Sequence, residues 1–105
     1  MKILRSGHKY ELANFEQDLH ELNQQLQFIE KIPVAEGSTE LKTVNDGTTN
    51  EEVLSVLIDR MQFLQSMFPC RENAIVITKL EECLMWLEKR TADRKARGVE
   101  GKQIK

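Results

Sequence analysis

The sequence predicts an α+β fold, in which a small N-terminal β region (residues 1–45) precedes an antiparallel two-helix hairpin with a basic tail (residues 46–105). Two observations predict the hairpin. Apolar residues recur every three or four positions on both sides of Pro69, as is typical of amphipathic helices. The connection at Pro69 is so short that the two helices must fold back on each other. A third observation, short β-prone segments among polar residues, is compatible with strands in the first half.

Two patterns compete in the N-terminal half. An amphipathic helix or a short coiled-coil seam would explain a series of apolar residues spaced three or four apart: Leu12, Phe15, Leu19, Leu22, Leu26 and Ile29. The alternative is three short strands at 9–15, 25–32 and 41–44, with a loop at 33–39. Pattern alone favours the helix, and both interpretations stay open at this point.

The first helix of the hairpin has a recognisable start. Asp46 and Gly47 mark a turn, and Thr49 with Glu52 fits a capping box, in which a hydroxyl and a carboxylate satisfy N–H groups at a helix start. We therefore expect the helix to begin near Thr49 and to end before Pro69. Its predicted apolar stripe is Leu54, Leu57, Ile58, Met61, Leu64 and Phe68.

The second helix is predicted to begin at Cys70 or Arg71. It should run to Arg97, because Gly98 supplies a C-terminal stop. Its predicted apolar stripe is Val76, Leu80, Cys83, Leu84 and Leu87. Both cysteines of the chain, Cys70 and Cys83, are expected to act as small buried hydrophobes.

Composition excludes several classes of protein. No stretch approaches the roughly 18 apolar residues that a membrane span requires, and the first five residues are too short for a signal peptide. We therefore expect a cytoplasmic protein. Cys70 and Cys83 form no Cys-x-x-Cys pair, and His8 and His20 lie far from both in sequence, so neither a zinc site nor a disulfide framework is expected.

Charge is distributed unevenly along the chain. Residues 89–105 hold seven basic and two acidic groups, whereas the other 88 residues hold eight basic and fifteen acidic groups. An acidic body of −7 therefore ends in a basic segment of +5. This asymmetry favours a polyanionic partner, although a solvated helix end, where cations complement the helix dipole, would also explain it.

The sequence contains little that indicates catalysis. It has no Gly-x-Ser-x-Gly, no glycine-rich phosphate loop and no His-Glu-x-x-His motif. The carboxylate pairs Glu51/Glu52 and Glu81/Glu82 are sequence neighbours and do not face one another on a helix. We therefore expect no enzymatic activity, no catalytic residue, no metal and no cofactor.

Arg90, Arg94 and Arg97 are the first candidates for binding. They fall at i, i+4 and i+7 and therefore share one helical face. A guanidinium group offers a planar fork of donors that suits phosphate, at about 1.5–3 kcal/mol for each charge-assisted bond. Taken alone, an exposed stripe balanced by Glu88 and Asp93 is the commoner explanation for such a run.

Two further candidates lie near the turn of the hairpin. Phe63 belongs to a second stripe of the first helix, about 100° from the main one, where it could stack a purine or pack in a core. Asn73, close to Arg71 in the first turn of the second helix, could cap that helix or contact a base or ribose. For each residue alone, the packing or capping role is the commoner one.

A distance argument connects the two groups of candidates. Asn73 and Arg90 are 17 residues apart on one helix, which corresponds to roughly 25 Å. They cannot contact one small ligand from the same chain. If both bind it, a two-fold dimer must bring the helix start of one subunit to the basic helix end of the other, which gives two equivalent pockets.

The hairpin resembles that of the phage anti-CBASS and anti-Thoeris sponges over residues 46–102. The segments that carry the resemblance are residues 68–74 (FPCRENA), 77–82 (ITKLEE), 85–87 (MWL), 89–94 (KRTADR) and 97–101 (RGVEG). The anti-Thoeris branch is the more similar one, since it has a small β region before the hairpin and the RGVEG tail. The resemblance therefore favours strands over a helix in the N-terminal half.

What this resemblance implies about function is specific. Members of the family bind immune second messengers without cleaving them, namely cyclic ADP-ribose isomers or cyclic di- and trinucleotides. Position by position, Phe63 would stack on the adenine, Asn73 would make polar contacts, and Arg90 and Arg94 would hold the phosphates. Arg71 and Arg97 are additional candidates beside them.

The leading hypothesis is thus a homo-oligomeric sponge in the host cytoplasm, a dimer or a hexamer, whose pockets between subunits take adenine-containing cyclic nucleotides. A second hypothesis is a helical inhibitor that binds a host protein through its second apolar stripe. Binding of DNA or RNA is not expected, because the body of the chain is acidic.

Overall fold

The structure is a computed structural model that describes residues 1–16 and 23–105. Its order of antiparallel strands followed by two helices is that of an α+β fold, which confirms the predicted class. The chain divides into two compact units, Met1–Thr49 and Asn50–Lys105. Leu19 and Leu22, two members of the helical pattern in the N-terminal half, lie outside the described residues.

The N-terminal unit consists of two antiparallel sheets. The first has the strand order β1-β2-β3, and the second pairs β4 with β5. The strands are β1 (Lys2–Arg5), β2 (Lys9–Leu12), β3 (Gln24–Gln27), β4 (Glu30–Pro33) and β5 (Leu41–Asn45). Leu12 and Leu26 therefore lie in strands, and the helical interpretation is wrong over the described residues. Sequence reasoning missed β1 altogether.

The predicted strand at 25–32 is two strands, because the chain changes partner at Phe28. The Phe28 N–H donates to the carbonyl of His8 at 2.7 Å, which continues the pairing of β3 with β2. The next N–H, of Ile29, donates to the carbonyl of Thr48 at 2.9 Å, and the Thr48 N–H donates back to Gln27 at 2.9 Å. The segment before the first helix thus lies directly against the end of β3.

This close approach requires a glycine. A Cβ atom at Gly47 would lie 2.5 Å from the carbonyl oxygen of Gln27 and 2.7 Å from the carbonyl carbon of Phe28. Both atoms belong to the backbone, so a side chain at this position would have to displace a strand end. The sequence predicted a turn at Asp46-Gly47, whereas the structure shows no turn at these residues and uses Gly47 for a close packing contact.

Glu30 is the buried residue among those described in this unit. It is 5% exposed, and its carboxylate accepts hydrogen bonds from Nε and Nη2 of Arg5 at 2.5 and 2.6 Å and from Nδ2 of Asn45 at 3.3 Å. The hydrogen bond from Arg5 is the main reason that the pKa of Glu30 falls from 4.5 to about 2, against the opposing effect of desolvation. Because Arg5 belongs to β1 and Asn45 to β5, this carboxylate ties the two sheets together.

The second unit is the predicted hairpin of α1 (Asn50–Met67) and α2 (Arg71–Ala96), which pack against each other. Cys70 is the N-cap of α2, and its Sγ accepts the N–H of Asn73 at 3.4 Å. The Gln65 amide bonds to both the N–H and the carbonyl of Cys70, at 3.0 and 3.1 Å, which holds the connection. At the other end, Arg97 is the C-cap and Gly98 has a φ of 71°, as predicted.

The contact surface of α2 differs from the predicted stripe. Its half-buried residues follow a heptad register: Asn73, Ile77, Leu80, Leu84, Leu87, Thr91 and Arg94. Val76 and Cys83 lie outside that register and are exposed, which corrects the prediction that they are core residues. Cys70 is exposed as well, because it caps the helix. On α1, Leu57 and Phe68 of the predicted stripe are also exposed.

No apolar side chain in the described part of the chain is buried. Within those residues, no helix is both long and apolar enough to cross a membrane. The helices of the isolated chain therefore bury their contact stripes only halfway. That leaves large apolar side chains on their outer faces, including Val56, Phe63, Met85 and Trp86.

Candidate ligand-binding site

The six candidate residues fall into two groups at opposite ends of the hairpin. Phe63, Arg71 and Asn73 lie near the turn, whereas Arg90, Arg94 and Arg97 lie in the last two turns of α2 or just beyond its end. Seventeen helical residues, or roughly 25 Å, separate Asn73 from Arg90. Within one chain, the two groups of candidates are therefore too far apart to contact one small ligand together.

The group at the turn presents an aromatic ring and an amide. Phe63 is 55% exposed on the outer face of α1, so its ring is available to a partner or ligand. Asn73 is half-buried, and its backbone rather than its side chain takes part in the helix cap. The capping role considered for the Asn73 side chain is filled by Cys70 instead. Among the described residues the Asn73 side-chain amide has no hydrogen-bond partner.

Arg71 borders a shallow, mostly apolar depression on the outer face of α2. The depression has a volume of about 330 Å³ and is lined by Arg71, Ala74, Ile75, Thr78 and Lys79. Its walls are two cationic side chains, and its floor consists of small and aliphatic residues one and two turns into the helix. Such a surface suits either an apolar partner or a flat ligand that carries negative charge.

At the far end, Arg94 holds the tail of the chain. Its Nη2 donates to the carbonyls of Val99 at 3.1 Å and Lys102 at 2.7 Å, and its Nη1 donates to the carbonyl of Ile104. The tail can fold back to reach Arg94 because Gly98 and Gly101 adopt positive φ angles of 71° and 75°. Sequence reasoning missed these contacts, although the two glycines in the RGVEG segment were the available signal.

These contacts limit what Arg94 can do with a phosphate. A guanidinium grips phosphate in bidentate fashion through Nη2 together with either Nε or Nη1. Both protons of Nη2 are already donated to the tail. As long as the tail stays in place, Arg94 can offer only single hydrogen bonds to a phosphate, because part of its guanidinium group already holds the tail.

Arg90 and Arg97 differ in whether their guanidinium groups already have hydrogen-bond partners. Arg97 donates to the carbonyl of Lys105 at 3.0 Å and lies 3.4 Å from the carboxylate of Asp93. Arg90 is exposed, and among the described residues its guanidinium has no hydrogen-bond or ion-pair partner. Of the three arginines at this end of the hairpin, Arg90 is therefore the one whose complete bidentate fork is available.

The hairpin also carries the similarity to known proteins. A family model described as "Acb2/Tad1, hairpin domain" matches residues 30–92. This chain belongs to the Acb2/Tad1 hairpin family. The match confirms the resemblance seen in the sequence, and it includes Phe63, Arg71, Asn73 and Arg90 but ends before Arg94.

A curated relative of this family member is 48% identical over 83 residues. It is the protein named Thoeris anti-defense 1 from Bacillus phage SBSphiJ7. The alignment covers 68% of this chain but 58% of the relative, so the chain spans little more than half of the relative's length. An identity of 48% over this length shows that the two proteins share a common ancestor.

Proposed function

We propose that this protein is a phage anti-defence sponge that binds cyclic ADP-ribose isomers, or related adenine-containing cyclic nucleotides, and sequesters them without cleavage. The observation that carries the proposal is the pair of half-sites at opposite ends of one hairpin of the Acb2/Tad1 family. One half-site has the ring and the amide, and the other has the cations. The name of the phage relative supports an anti-defence role in the host cell.

The two half-sites are completed by a second copy of the chain. A two-fold axis that sets the turn of one hairpin against the α2 end of another forms two identical pockets. The exposed apolar residues on both helices favour such a partner, because the isolated chain buries no apolar side chain among its described residues. A dimer, or a hexamer assembled from dimers, is the proposed binding-competent form.

Within each pocket we propose the roles that the family resemblance implies. Phe63 stacks on the adenine, a contact that contributes about 1–3 kcal/mol. Arg90 grips a phosphate with its full fork, and Arg94 adds single bonds beside the tail. Asn73 offers its free amide to the base or ribose. Arg71 and Arg97 lie at the margins as supporting cations.

The test is titration calorimetry against a panel of cyclic ADP-ribose isomers and cyclic di- and trinucleotides, followed by heat release and chromatography of what was bound. Tight binding with intact nucleotide recovered supports the proposal. Failure to bind any member of the panel, or recovery of a cleaved product, contradicts it. Light scattering on the same samples establishes whether the binding form is oligomeric.

Matched variants sharpen the test. Arg90→Met should weaken binding at least tenfold, because it removes the available phosphate fork. Lys95→Met removes a cation from the same end of α2, but that cation pairs with Glu100 at 3.9 Å, so its affinity should stay within about threefold of the original. If the two changes lowered the affinity equally, the cause would be general electrostatic attraction instead of a specific binding site.

The second candidate function is a helical inhibitor of a host protein. The exposed Ile75, Val76 and Met85 on α2 favour it, since a host helix could lie along them. It predicts that Arg90→Met leaves function unchanged and that no nucleotide binds. Infection of a defended host with phage carrying either variant separates the two candidates.

A further inference from the structure

Trp86 presents an exposed aromatic surface in the C-terminal half of α2, beside two cationic residues. It is the single tryptophan of the chain and is 60% exposed. The ammonium group of Lys89 lies over its ring, 4.8 Å from the centroid. A cation on one side of a ring that is more than half exposed leaves room for a planar partner.

The phosphate-binding candidate Arg90 lies one helical turn beyond Trp86. Residues four apart on a helix share one face and are separated by about 6 Å along the axis, which is close to the distance between a nucleoside base and its phosphate. Trp86, Lys89 and Arg90 therefore place an aromatic ring and two cations along one short stretch of surface.

The carboxylates on this face do not cancel that charge. Glu82, one turn before Trp86, lies 3.7 Å from Lys79, and Asp93 lies 3.4 Å from Arg97. Arg90 keeps its charge without an ion-pair partner among the described residues. An apolar helix docked on Trp86 would have to desolvate the neighbouring cations, whereas a base with an attached phosphate satisfies both the ring and the charges.

We infer that Trp86 is a second aromatic platform of the nucleotide pocket, where it stacks on the adenine whose phosphate Arg90 binds. This inference rests on the proposed function. In the proposed dimer, Phe63 of one copy and Trp86 of the other cover opposite faces of the same base. The sandwich makes the pocket selective for ligands with a purine over ribose phosphates that lack one.

The experiment uses the full chain and the cyclic ADP-ribose isomer or cyclic nucleotide that binds most tightly in the panel above. Saturation should change the emission of Trp86 in the unmodified protein, because a stacked base alters its surroundings directly. Trp86→Leu should weaken binding about tenfold or more, whereas Trp86→Phe, which keeps a ring, should stay within about threefold. Met85→Leu, at an exposed neighbouring position, should bind like the unmodified protein.

Three results would overturn the inference. Unchanged emission at saturation would show that the base does not reach Trp86. Equal affinity of Trp86→Leu and Met85→Leu would show that the ring contributes nothing. A change of oligomeric mass in Trp86→Leu would assign this surface to contact between copies instead. If the unmodified protein binds no nucleotide at all, the proposed function itself fails first, and that result is visible before any variant is made.

Discussion

The contacts that stabilise each unit from within differ in kind between the two units. In the described part of the N-terminal unit, the buried residue is Glu30, whose carboxylate contacts Arg5, 25 positions away, and Asn45, 15 positions away. In the hairpin, the contacts are apolar stripes with a local heptad spacing, and those stripes are only half-buried. The β unit thus depends on a few polar contacts between distant residues, whereas the hairpin has local order and leaves much of its apolar surface exposed.

Among the substitutions that test this difference, Glu30→Gln in the N-terminal unit should have the largest effect on folding stability. Because the folded-state pKa of Glu30 is lowered to about 2 from 4.5, its contribution to stability is complete above pH 4.5 and is lost as the pH falls towards 2. The neutral amide cannot form the charge-assisted pair with Arg5, so this variant should be less stable at neutral pH and should lose the acid-dependent step.

The measurement is the dispersion of strand amide signals in NMR spectra between pH 6 and pH 2. Glu36→Gln, an exposed carboxylate of the same unit, is the control and should follow the unmodified protein. If Glu30→Gln shows an acid transition as large as that of the unmodified protein, the ion pair between Glu30 and Arg5 does not hold the two sheets together.

Gly47→Ala should have the next largest effect. Its Cβ would meet backbone atoms of Gln27 and Phe28 at 2.5–2.9 Å, and such overpacking costs about 3 kcal/mol where the neighbours cannot yield. Gly37→Ala is the matched control, since a Cβ atom there has no other atom within 4 Å. It should lose only about 1 kcal/mol of folding stability, because alanine is strained at the left-handed φ of 75°. Chemical denaturation of both variants tests the difference, and equal losses would contradict the close approach.

Leu84→Ala tests the hairpin. Leu84 is half-buried on the contact stripe, so its loss should cost about 2 kcal/mol, the lower end of the range for core leucines. The adjacent Met85 is 54% exposed, and Met85→Ala should stay within about 0.5 kcal/mol if that face is solvated. Thermal unfolding at several protein concentrations is the measurement. A concentration-dependent loss in Met85→Ala would show that a second copy covers this face.

The smallest effect is expected from Arg94→Lys. Lysine lacks the planar fork, so it cannot hold the carbonyls of Val99, Lys102 and Ile104 together, and the tail should loosen while the helices keep their stability. Faster hydrogen exchange of the amides after Gly98 is the expected readout. Arg90→Lys makes no change to tail contacts and should leave that exchange as it is; equal acceleration in both variants would contradict the role of Arg94.

The sequence predicted the hairpin more accurately than the β region. Pro69 and Gly98 mark the ends of the helices within two residues of where the structure places them. The apolar spacing identified both helices but erred by one position on α2, where Ile77 rather than Val76 faces the partner helix. Several registers share a three-and-four spacing, and only packing against α1 selects one of them.

For the candidate site, the sequence supplied the residue types and the structure supplied their partners. Arg90, Arg94 and Arg97 are equivalent by spacing, yet Arg94 and Arg97 are engaged by the tail whereas Arg90 has no partner among the described residues. Trp86 entered the sequence analysis only as part of a family segment. Its exposure and its contact with Lys89 became apparent once the helix face was known.

What the sequence determined by itself was the local part of this protein: two amphipathic helices, the turn between them and the glycine that ends the second. Helical periodicity and end signals act within a few residues, so they are visible in the chain itself. Only the tertiary structure decided that the chain changes strand partner at Phe28, that Glu30 is buried against Arg5, and that the tail returns to Arg94. These contacts join residues 5 to 25 positions apart, and no periodic pattern specifies which distant partner a backbone or charged group will find.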